Sequence, residues 1–379
     1  MTWADDADAL AGEASAVLGG PVERADDLPH ATRGTATARV VRVHTSTRSA
    51  VVKFISSGDG DGDGDGVGGG VGGGFHDPAR LRYWRREPDF YESGVPEPFG
   101  QAAVDAPELL GLFERAGGVV LWLEDLEGRS GGRSGGRLGI TDLERAGWRL
   151  GRAQAPYAMG AVPAEAFPWS EDALLSQLHA WDDVGWDLLH DDKMWRQPLI
   201  ERHYSPPLRE SLVDLGEKRW EILEISGRLP QTICHHDAWL NNIFSFSDRT
   251  VLIDWAFVGH GHVGCDAGNI ITDACGDLLL PTSLLPQIDA VVTKGYLDGL
   301  VDGGWTGDHR TVRLGICLMA AKWSWLTPHQ LRRAGLDEHA VYGGAPADSD
   351  HLFAERAAML GYLSTMAAEA RRLAAELGV

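Results

Sequence analysis

The chain has 379 residues, 44% of them hydrophobic, which is enough for two lobes with a sizeable buried core. Its formal net charge of -21 argues against binding to nucleic acids and to anionic membranes. The charge suits a cationic ligand, although a general need for solubility is the simpler explanation. The four cysteines form no CxxC pair, so we expect buried thiols rather than a zinc site. With no signal-peptide pattern and no apolar run of about 18 residues, we expect a cytoplasmic protein without a membrane span.

Strand patterns dominate the first third of the chain. A polar break between Thr45 and Arg48, flanked by β-branched residues, predicts a hairpin. Pro88 is expected to break or kink a helix predicted over residues 79–93. The other elements predicted here are an amphipathic helix and two strands, over residues 4–19, 109–113 and 118–124.

Two low-complexity segments interrupt this pattern. Residues 57–74, SGDGDGDGDGVGGGVGGG, cannot bury apolar surface and predict a flexible loop. Their Asp-Gly repeat does not fit an EF-hand loop, because the apolar residue after the Gly and the final Glu are both missing. Residues 129–137, RSGGRSGGR, predict a second flexible insertion.

Helical patterns dominate the rest of the chain, apart from a strand-rich region at residues 232–258. The candidate helices span residues 141–154, 170–192, 206–226, 284–300, 310–326 and 352–377. Because strands come first and helices follow, the sequence predicts an α+β protein with a small sheet lobe and a larger, mainly helical lobe.

Three polar features stand in a fixed relation within residues 231–270. In HHDAWLNN, Asp237 precedes Asn242 by five residues; Asp254 then ends an apolar strand, and Asp266 follows twelve residues later in a Gly-rich turn. Phosphoryl transfer needs a group that takes or orients the proton of the attacking hydroxyl, and Mg²⁺ to neutralise the phosphate oxygens. An Asp and an Asn on one loop, with a second Asp on a neighbouring strand, can supply both, since Mg²⁺ prefers oxygen ligands. Turn capping explains each residue singly but not their joint spacing.

This HxDxxxxN pattern, followed by an apolar strand and an Asp, resembles the Brenner motif of the aminoglycoside phosphotransferase family and of choline kinases. The version DAWLNNIF is also similar to the ecdysteroid-kinase-like group. The resemblance implies a protein-kinase-like two-lobed fold. It implies a helical extension, an N-lobe that carries the 57–74 insertion, and a C-lobe, over residues 1–30, 31–126 and 127–379.

The same resemblance implies a role for each residue of the motif. Asp237 would be the catalytic base, Asn242 and Asp254 the magnesium ligands, and His235 and Asp266 the structural support of the catalytic loop. Two further histidines depart from the family pattern. They are His236, where relatives usually carry glycine, and His262, where many carry aspartate.

A kinase-like site also needs a strand lysine for the phosphates and a helical glutamate that holds it. AVVKFI supplies Lys53, for which a solvent-facing lysine on an edge strand is the alternative. WRREPDFY supplies Glu87, followed directly by Pro88, with Glu92 as the second candidate for the lysine partner. A solvated charge on a helix would explain either glutamate.

The remaining nucleotide contacts are predicted from weaker patterns. LWLEDLEG resembles the hinge between lobes, where Glu124, Asp125 and Leu126 would bond the adenine edge. For the phosphate-covering loop the sequence offers only RGTAT, residues 33–37, in place of GxGxxG, and it has no Walker P-loop. Gly34 and Thr35 in RGTAT could still cradle a phosphate.

Acceptor binding is predicted in the Trp- and Asp-rich segment 179–192. Trp181, Asp182, Asp183, Trp186 and Asp187 could bind an amine-bearing or sugar-like ligand. An acidic amphipathic helix with its tryptophans in the core explains the same residues. The segment KWSWLTPH, residues 322–329, lies near the same cleft in this interpretation but receives no role.

Taken with the resemblance, these features predict an O-phosphotransferase that uses Mg²⁺ and ATP, with GTP as the alternative nucleotide. The acceptor is expected to be a small molecule, either aminoglycoside-like or another amine-bearing metabolite. Two other functions stay open: a Ser/Thr kinase of a peptide in natural-product biosynthesis, and a nucleotide-binding pseudokinase. The intact set of Lys53, Asp237, Asn242 and Asp254 argues against the pseudokinase.

Overall fold

The computed structural model describes residues 7–28, 36–58, 75–126, 138–161, 185–341 and 344–379. Several of the predicted sites lie outside these residues. They are Gly34, Thr35, Trp181, Asp182, Asp183, residues 59–74 of the first insertion and the whole of the second.

An antiparallel five-stranded sheet forms the small lobe, in the order β1-β2-β3-β6-β5. Its strands are β1 (Arg24–Asp27), β2 (Thr37–His44), β3 (Ser49–Ser56), β5 (Leu109–Arg115) and β6 (Gly118–Glu124), and helix α1 (Ala7–Leu18) covers one face. Side chains alternate between the faces of a strand, so Val52 and Phe54 pack towards α1. Lys53 therefore points with Ile55 to the opposite face. The N-terminal segment predicted as a helical extension thus also supplies a strand of the sheet.

The helix predicted over residues 79–93 is shorter than expected. Helix α2 spans Arg86–Glu92, and residues 79–85 form turns. The expectation that Pro88 breaks this helix is wrong, because Pro88 lies in the first turn. A residue there has no N–H partner within the helix, so the missing proline N–H costs nothing.

Short strands connect the two lobes and carry the motif. Strand β4 (Val104–Asp105) pairs in parallel with β9 (Thr250–Leu252), which pairs antiparallel with β8 (Ile243–Ser245). Strand β7 (Gln231–Cys234) pairs antiparallel with β10 (Gly259–His262). The strand-rich region predicted at 232–258 is therefore two small sheets that bracket the loop carrying Asp237.

The larger lobe is mainly helical. Its helices are α3 (Pro96–Gln101), α4 (Ile140–Ala158), α5 (Asp192–Trp195), α6 (Pro198–His203), α7 (Pro206–Glu217), α8 (Arg219–Ser226), α9 (Cys265–Asp273), α10 (Leu285–Asp302), α11 (His309–Leu318), α12 (Leu326–Arg333) and α13 (Ser349–Leu377). The 3-10 helices are Trp186–His190, Leu240–Asn242, Trp255–Phe257, Thr282–Leu284 and Met319–Trp325, and strands β11 (His339–Ala340) and β12 (Pro346–Ala347) form a small ladder. None of the described helices combines the length and apolar character that a membrane crossing requires.

Several predicted helices are divided in the structure. The predicted helix 206–226 is interrupted at Lys218. The predicted helix 310–326 ends as an α-helix at Leu318 and continues as a 3-10 turn. Within the predicted helix 170–192, only residues from 185 onward are described, and they form a short 3-10 helix followed by the start of α5.

Helices α4 and α10 approach each other closely because glycines line their contact. A Cβ at Gly151 would lie 2.1 Å from the carbonyl oxygen of Tyr296, and one at Gly299 would lie 1.9 Å from that of Trp148. No larger residue fits at either position without moving a helix. This contact positions α4, whose residue Gln154 reaches the catalytic loop.

Candidate active site

The loop after β7 brings Asp237 and Asn242 together. The amide Nδ2 of Asn242 donates to the backbone carbonyl of Asp237 at 3.0 Å and to its carboxylate Oδ2 at 2.8 Å. The same residue accepts a backbone bond from Ile253, one position before Asp254, at 3.0 Å. The three residues singled out in the sequence therefore converge on one side of the β8–β9 hairpin.

His235 ties the loop to the next strand. Its ring Nε2 lies 3.0 Å from the carbonyl oxygen of Ile253 and therefore donates, while Nδ1 accepts the backbone N–H of Asp237 at 3.2 Å. This arrangement requires a neutral ring. Burial lowers the pKa of His235 to about 4, which keeps the ring neutral at neutral pH.

Asp266 holds the backbone of the loop. Its carboxylate accepts the backbone N–H groups of His235 at 2.8 Å and His236 at 2.9 Å, and the side-chain amide of Gln154 at 2.7 Å. Burial raises the pKa of Asp266 to about 6, against the effect of these bonds. The sequence predicts Asp266 in a Gly-rich turn, whereas the structure places it in the first turn of α9.

Gln154 is a functional neighbour that the sequence did not reveal. It is completely buried, and its amide also donates to the carbonyl of Ile233 at 2.9 Å. Its carbonyl oxygen accepts the hydroxyl of Tyr296, which in turn accepts the backbone N–H of Gly264. A glutamine in the middle of a helix carries no sequence signal for this role.

Two residues of the site adopt left-handed backbone conformations that are unusual without glycine. They are His236, with φ of 65°, and Asp254, with φ of 64°. The ring Nε2 of His236 donates to the carbonyl of His260 at 2.8 Å, and the carboxylate of Asp254 accepts the ammonium of Lys53 at 2.6 Å. The predicted departure at His236 is therefore accommodated in the backbone shape that glycine usually supplies. His262 is buried and bonds the carbonyl of Gly315 at 2.9 Å.

Lys53 joins the small lobe to Asp254, just after β9. Its ammonium donates to Glu87 at 2.5 Å and to Asp254 at 2.6 Å. Burial by itself lowers the pKa of Lys53, but the carboxylates of Asp254 and Glu87 raise it above the ordinary value. Because β3 is an inner strand and Lys53 is 8% exposed, this is not a solvent-facing lysine on an edge. Glu92, the second candidate, instead pairs with Arg85.

The side chains of the hinge face inward. Glu124 pairs with Arg249 at 3.0 Å, and Asp125 accepts the hydroxyl of Ser49 at 2.7 Å. The backbone N–H of Glu124 donates to the carbonyl oxygen of Glu108, the residue before β5. The adenine-binding role of Glu124, Asp125 and Leu126 therefore stays a prediction.

The described part of the predicted acceptor segment lies apart from these residues. Arg219 covers the ring of Trp186 with its guanidinium 3.8 Å from the ring centroid, and Asp187 is exposed to solvent. None of the contacts found in the described ranges joins either residue to Asp237. Trp186 is half-buried against Arg219, and the acceptor-binding role of Trp186 and Asp187 stays a prediction.

One lysine of the segment 322–329 contributes to the charges around Asp237. Lys322 donates to Asp273 at 3.0 Å and to the side-chain oxygen of Asn269. Burial raises the pKa of Asp237 to about 7; the charge of Lys322 opposes this, and the carboxylates of Asp254 and Asp273 add to it. Asp237 therefore interacts with one cation, Lys322, and with two further carboxylates, Asp254 and Asp273.

The thiols near the loop are buried and free. The sulfurs of Cys234 and Cys265 and a carboxylate oxygen of Asp266 lie within 4.8 Å of one another, which is a spacing that a metal could use. Both Asp266 oxygens, however, already accept N–H bonds, so this carboxylate has little left to give a metal.

The pair Asn242 and Asp254 fits a hard cation better. Asn242 directs its N–H towards Asp237, which leaves its carbonyl oxygen for another partner. The carboxylate of Asp254 is 34% exposed in the cleft. A buried amide oxygen and a partly exposed carboxylate match the few protein ligands that Mg²⁺ uses beside phosphates.

Comparison with known families identifies a match over most of the chain. The model of the phosphotransferase enzyme family matches residues 31–300, which include every member of the site from Lys53 to Asp273. No curated protein matches the chain by sequence.

Solved structures with the same fold share little sequence with this chain. A choline/ethanolamine kinase family protein from Mesorhizobium loti is 16% identical, with a TM-score of 0.52 over 97% of this chain and 98% of its own. A spectinomycin phosphotransferase, solved with ADP and spectinomycin, is 10% identical, with a TM-score of 0.53 over 95% and 99%. An amicoumacin kinase, solved with AMP-PNP and Ca²⁺, is 10% identical, with a TM-score of 0.54 over 95% and 92%. At such identities the likeness establishes the two-lobed kinase-like fold.

Proposed function

The chain belongs to the phosphotransferase enzyme family and acts on hydroxyl acceptors, and we propose that it uses ATP and Mg²⁺ to phosphorylate a small amine-bearing molecule. One observation carries the proposal. Lys53 bonds Asp254, Ile253 just before Asp254 bonds the backbone carbonyl of Asn242, and the Asn242 side chain bonds Asp237, which links the small lobe to the catalytic loop. Phosphoryl transfer depends on this kind of positioning, because the protein contributes mainly geometry and charge.

Each residue has a role that follows from its contacts. Lys53, held by Glu87, would bind the α- and β-phosphates between the lobes. Asn242 and Asp254 would hold Mg²⁺, which neutralises the phosphate oxygens when bound. Asp237 keeps one carboxylate oxygen outside its bond with Asn242, and this oxygen would receive the proton of the acceptor hydroxyl.

The chemical step is a single displacement. The acceptor oxygen forms a bond to the γ-phosphorus while the bond from phosphorus to the bridging oxygen of ADP breaks. The hydroxyl proton passes to Asp237, because burial raises the pKa of this carboxyl and so strengthens it as a proton acceptor. The products are a phosphate ester and ADP.

Transfer of ³²P from [γ-³²P]ATP to a panel of aminoglycosides, amino alcohols and a basic peptide tests the proposal. Asp237→Asn should lower transfer by about 100-fold or more, because the proton acceptor is lost. Asp298→Asn, at an exposed position of α10, is the matched control and should leave the rate unchanged. Full activity of Asp237→Asn would exclude this base, and exclusive labelling of the peptide would favour a peptide kinase.

A further inference from the structure

Three sulfur atoms lie together next to the catalytic loop, in a cluster that the proposed reaction does not use. Cys234 is the last residue of β7, directly before the loop, and Cys265 is the first residue of α9. Met319 begins the 3-10 helix that follows α11. Both cysteines are 0% exposed and Met319 is 1% exposed, and the three form one small cluster of the core. Two thiols and a thioether thus share one solvent-shielded compartment.

The ring of His236 adds a nitrogen donor to this cluster. Its Nδ1 lies 3.5 Å from Sγ of Cys265, while its Nε2 donates to the carbonyl oxygen of His260 at 2.8 Å. A histidine that binds a metal through one ring nitrogen commonly donates the other N–H to a backbone carbonyl, which fixes the orientation of the ring. His236 therefore already has the second hydrogen bond of a metal ligand, with Nδ1 turned towards the sulfur.

The distances between these donors match those of a tetrahedral metal site. Metal–sulfur bonds of about 2.3 Å and metal–nitrogen bonds of about 2.0–2.1 Å place neighbouring donors about 3.5–3.8 Å apart. Sγ of Cys265 lies 3.5 Å from Nδ1 of His236 and 3.7 Å from Sδ of Met319, and it lies within 4.8 Å of Sγ of Cys234. An ion bonded to these atoms would occupy the gap between them and needs no larger cavity.

Two glycines leave room for the donor side chains. A Cβ on Gly261 would lie 2.7 Å from Sγ of Cys234 and 2.7 Å from Cε1 of His236, and one on Gly268 would lie 2.5 Å from Cγ of Met319. A larger residue at either position would have to displace a donor, because the interior is close-packed. The backbone of β10 and α9 therefore admits the side chains that form the cluster.

The Cys265 thiol is favoured to ionise. Its hydrogen bond with Cys234 and the nearby ring of His236 lower the pKa of Cys265, against the effect of burial. Its position at the start of α9 adds the positive end of the helix dipole. The amide of Gln154 also approaches Sγ of Cys234, at 3.9 Å. These features favour metal binding, because the thiolate is the form of cysteine that binds a metal.

We propose that Cys265, His236 and Met319, with Cys234 as the fourth donor, form a binding site for a soft monovalent cation, Cu⁺. Thiolate and thioether sulfurs suit Cu⁺, whereas protein zinc sites use cysteine, histidine and carboxylate ligands. Asp266 does not supply that carboxylate, since both of its oxygens already accept N–H groups of the loop.

Binding forms copper–sulfur and copper–nitrogen bonds without electron transfer. Each thiol that bonds the ion releases its proton to solvent. The soft donors differ from the amide and carboxylate oxygens of Asn242 and Asp254, which suit Mg²⁺. The site therefore goes beyond the proposed function and does not depend on it.

Copper binding to the purified full chain tests the proposal. The chain is incubated under anaerobic, reducing conditions with Cu⁺ held by bicinchoninate, and uptake is followed to completion because buried donors are reached only through local opening. We expect one Cu⁺ per chain, with sulfur and nitrogen ligands in the copper X-ray absorption spectrum. Zn²⁺, titrated with a fluorescent indicator, should bind at least about 100-fold more weakly. Free Cu⁺ at about 100 times Kd should raise Tm by about 3 °C.

Four variants identify the ligands. Cys265→Ala removes the donor common to the printed distances and should weaken Cu⁺ binding by about 100-fold or more. Met319→Leu removes the thioether at similar volume and should weaken Cu⁺ binding by about 10–100-fold. His236→Gly removes the imidazole at a left-handed position that glycine adopts readily, and it serves should Cys265→Ala fail to fold. Cys275→Ala, at a buried free thiol outside the cluster, is the matched control and should bind Cu⁺ like the wild type.

Several outcomes would overturn the site. They are a wild-type chain that takes up no Cu⁺, Zn²⁺ bound as tightly as Cu⁺, and wild-type affinity in Met319→Leu or His236→Gly. An equal loss in Cys275→Ala would identify adventitious binding to thiols and would also overturn it. Because none of these measurements uses phosphoryl transfer, a failure here leaves the proposed function untouched.

Discussion

Replacing Asp266 by Asn tests how far the catalytic loop depends on helix α9. The carboxylate accepts N–H groups of His235, His236 and Gln154 at 2.7–2.9 Å. An Asn side chain keeps one acceptor oxygen, and its NH₂ group faces at least one of these donors. One lost bond with its donor left unsatisfied costs about 1–3 kcal/mol, and weakening of the others adds about 1 kcal/mol. We expect the free energy of unfolding to fall by about 3 kcal/mol and Tm to fall by roughly 4 °C for a chain of this length.

The same substitution should slow the reaction, because the loop carries Asp237. A loop displaced by about 1 Å loses roughly 10–100-fold in kcat. Asp289→Asn is the matched control: this aspartate is 4% exposed and bonds Arg313 and Tyr362, on α11 and α13. Calorimetry and initial rates of ATP turnover should show both variants destabilised but only Asp266→Asn slowed. Wild-type kcat in a destabilised Asp266→Asn protein would refute the dependence of the loop on α9.

Two further predictions concern the lysine and the loop histidine. Glu87→Gln should raise the KM for ATP by roughly tenfold, since Lys53 loses one of its two carboxylates, whereas Glu92→Gln should not; nucleotide titration measures both. The pKa of His235, lowered by burial to about 4, lies below the unfolded value of about 6.5, so its stabilisation is present above pH 6.5 and is lost as the pH falls towards 4. Urea denaturation should show about 2 kcal/mol more loss between pH 8 and pH 5 in the wild-type protein than in His235→Leu, and equal losses would contradict the buried neutral ring.

The parts of the site that could be predicted from the sequence are those whose chemistry demands a set spacing. Asp237 and Asn242 share one loop, and Asp254 follows the next hairpin strand, so local geometry brings them together. The Lys53–Glu87 contact spans 34 positions but joins an apolar strand to the next helix, and it was also anticipated. The break predicted at Pro88 is absent because a proline disrupts an interior turn of a helix but is tolerated in the first turn, where Pro88 lies.

Residues that act through long-range packing could not be found in this way. Gln154 reaches the loop across 112 positions of sequence to Asp266, and Lys322 meets Asp273 across 49. In the sequence, Gln154 and Lys322 look like ordinary surface or core residues. Only the packing of the helices shows that they contact the site. The charge pattern drew attention to the segment 179–192 instead, where Trp186 packs under an arginine.

Helix α9 contacts two parts of the site, the catalytic loop and Lys322. Its first turn holds the catalytic loop through Asp266, and its next two turns present Asn269 and Asp273 to Lys322. All nine residues of this helix are buried, and a close-packed interior transmits a shift at one end of a helix to the other end. We therefore expect Asp273→Leu, which removes the carboxylate that Lys322 bonds, to displace Asp266 under the loop and to lower kcat. Initial rates of ATP turnover measure this loss, and a wild-type kcat in the folded variant would contradict the coupling.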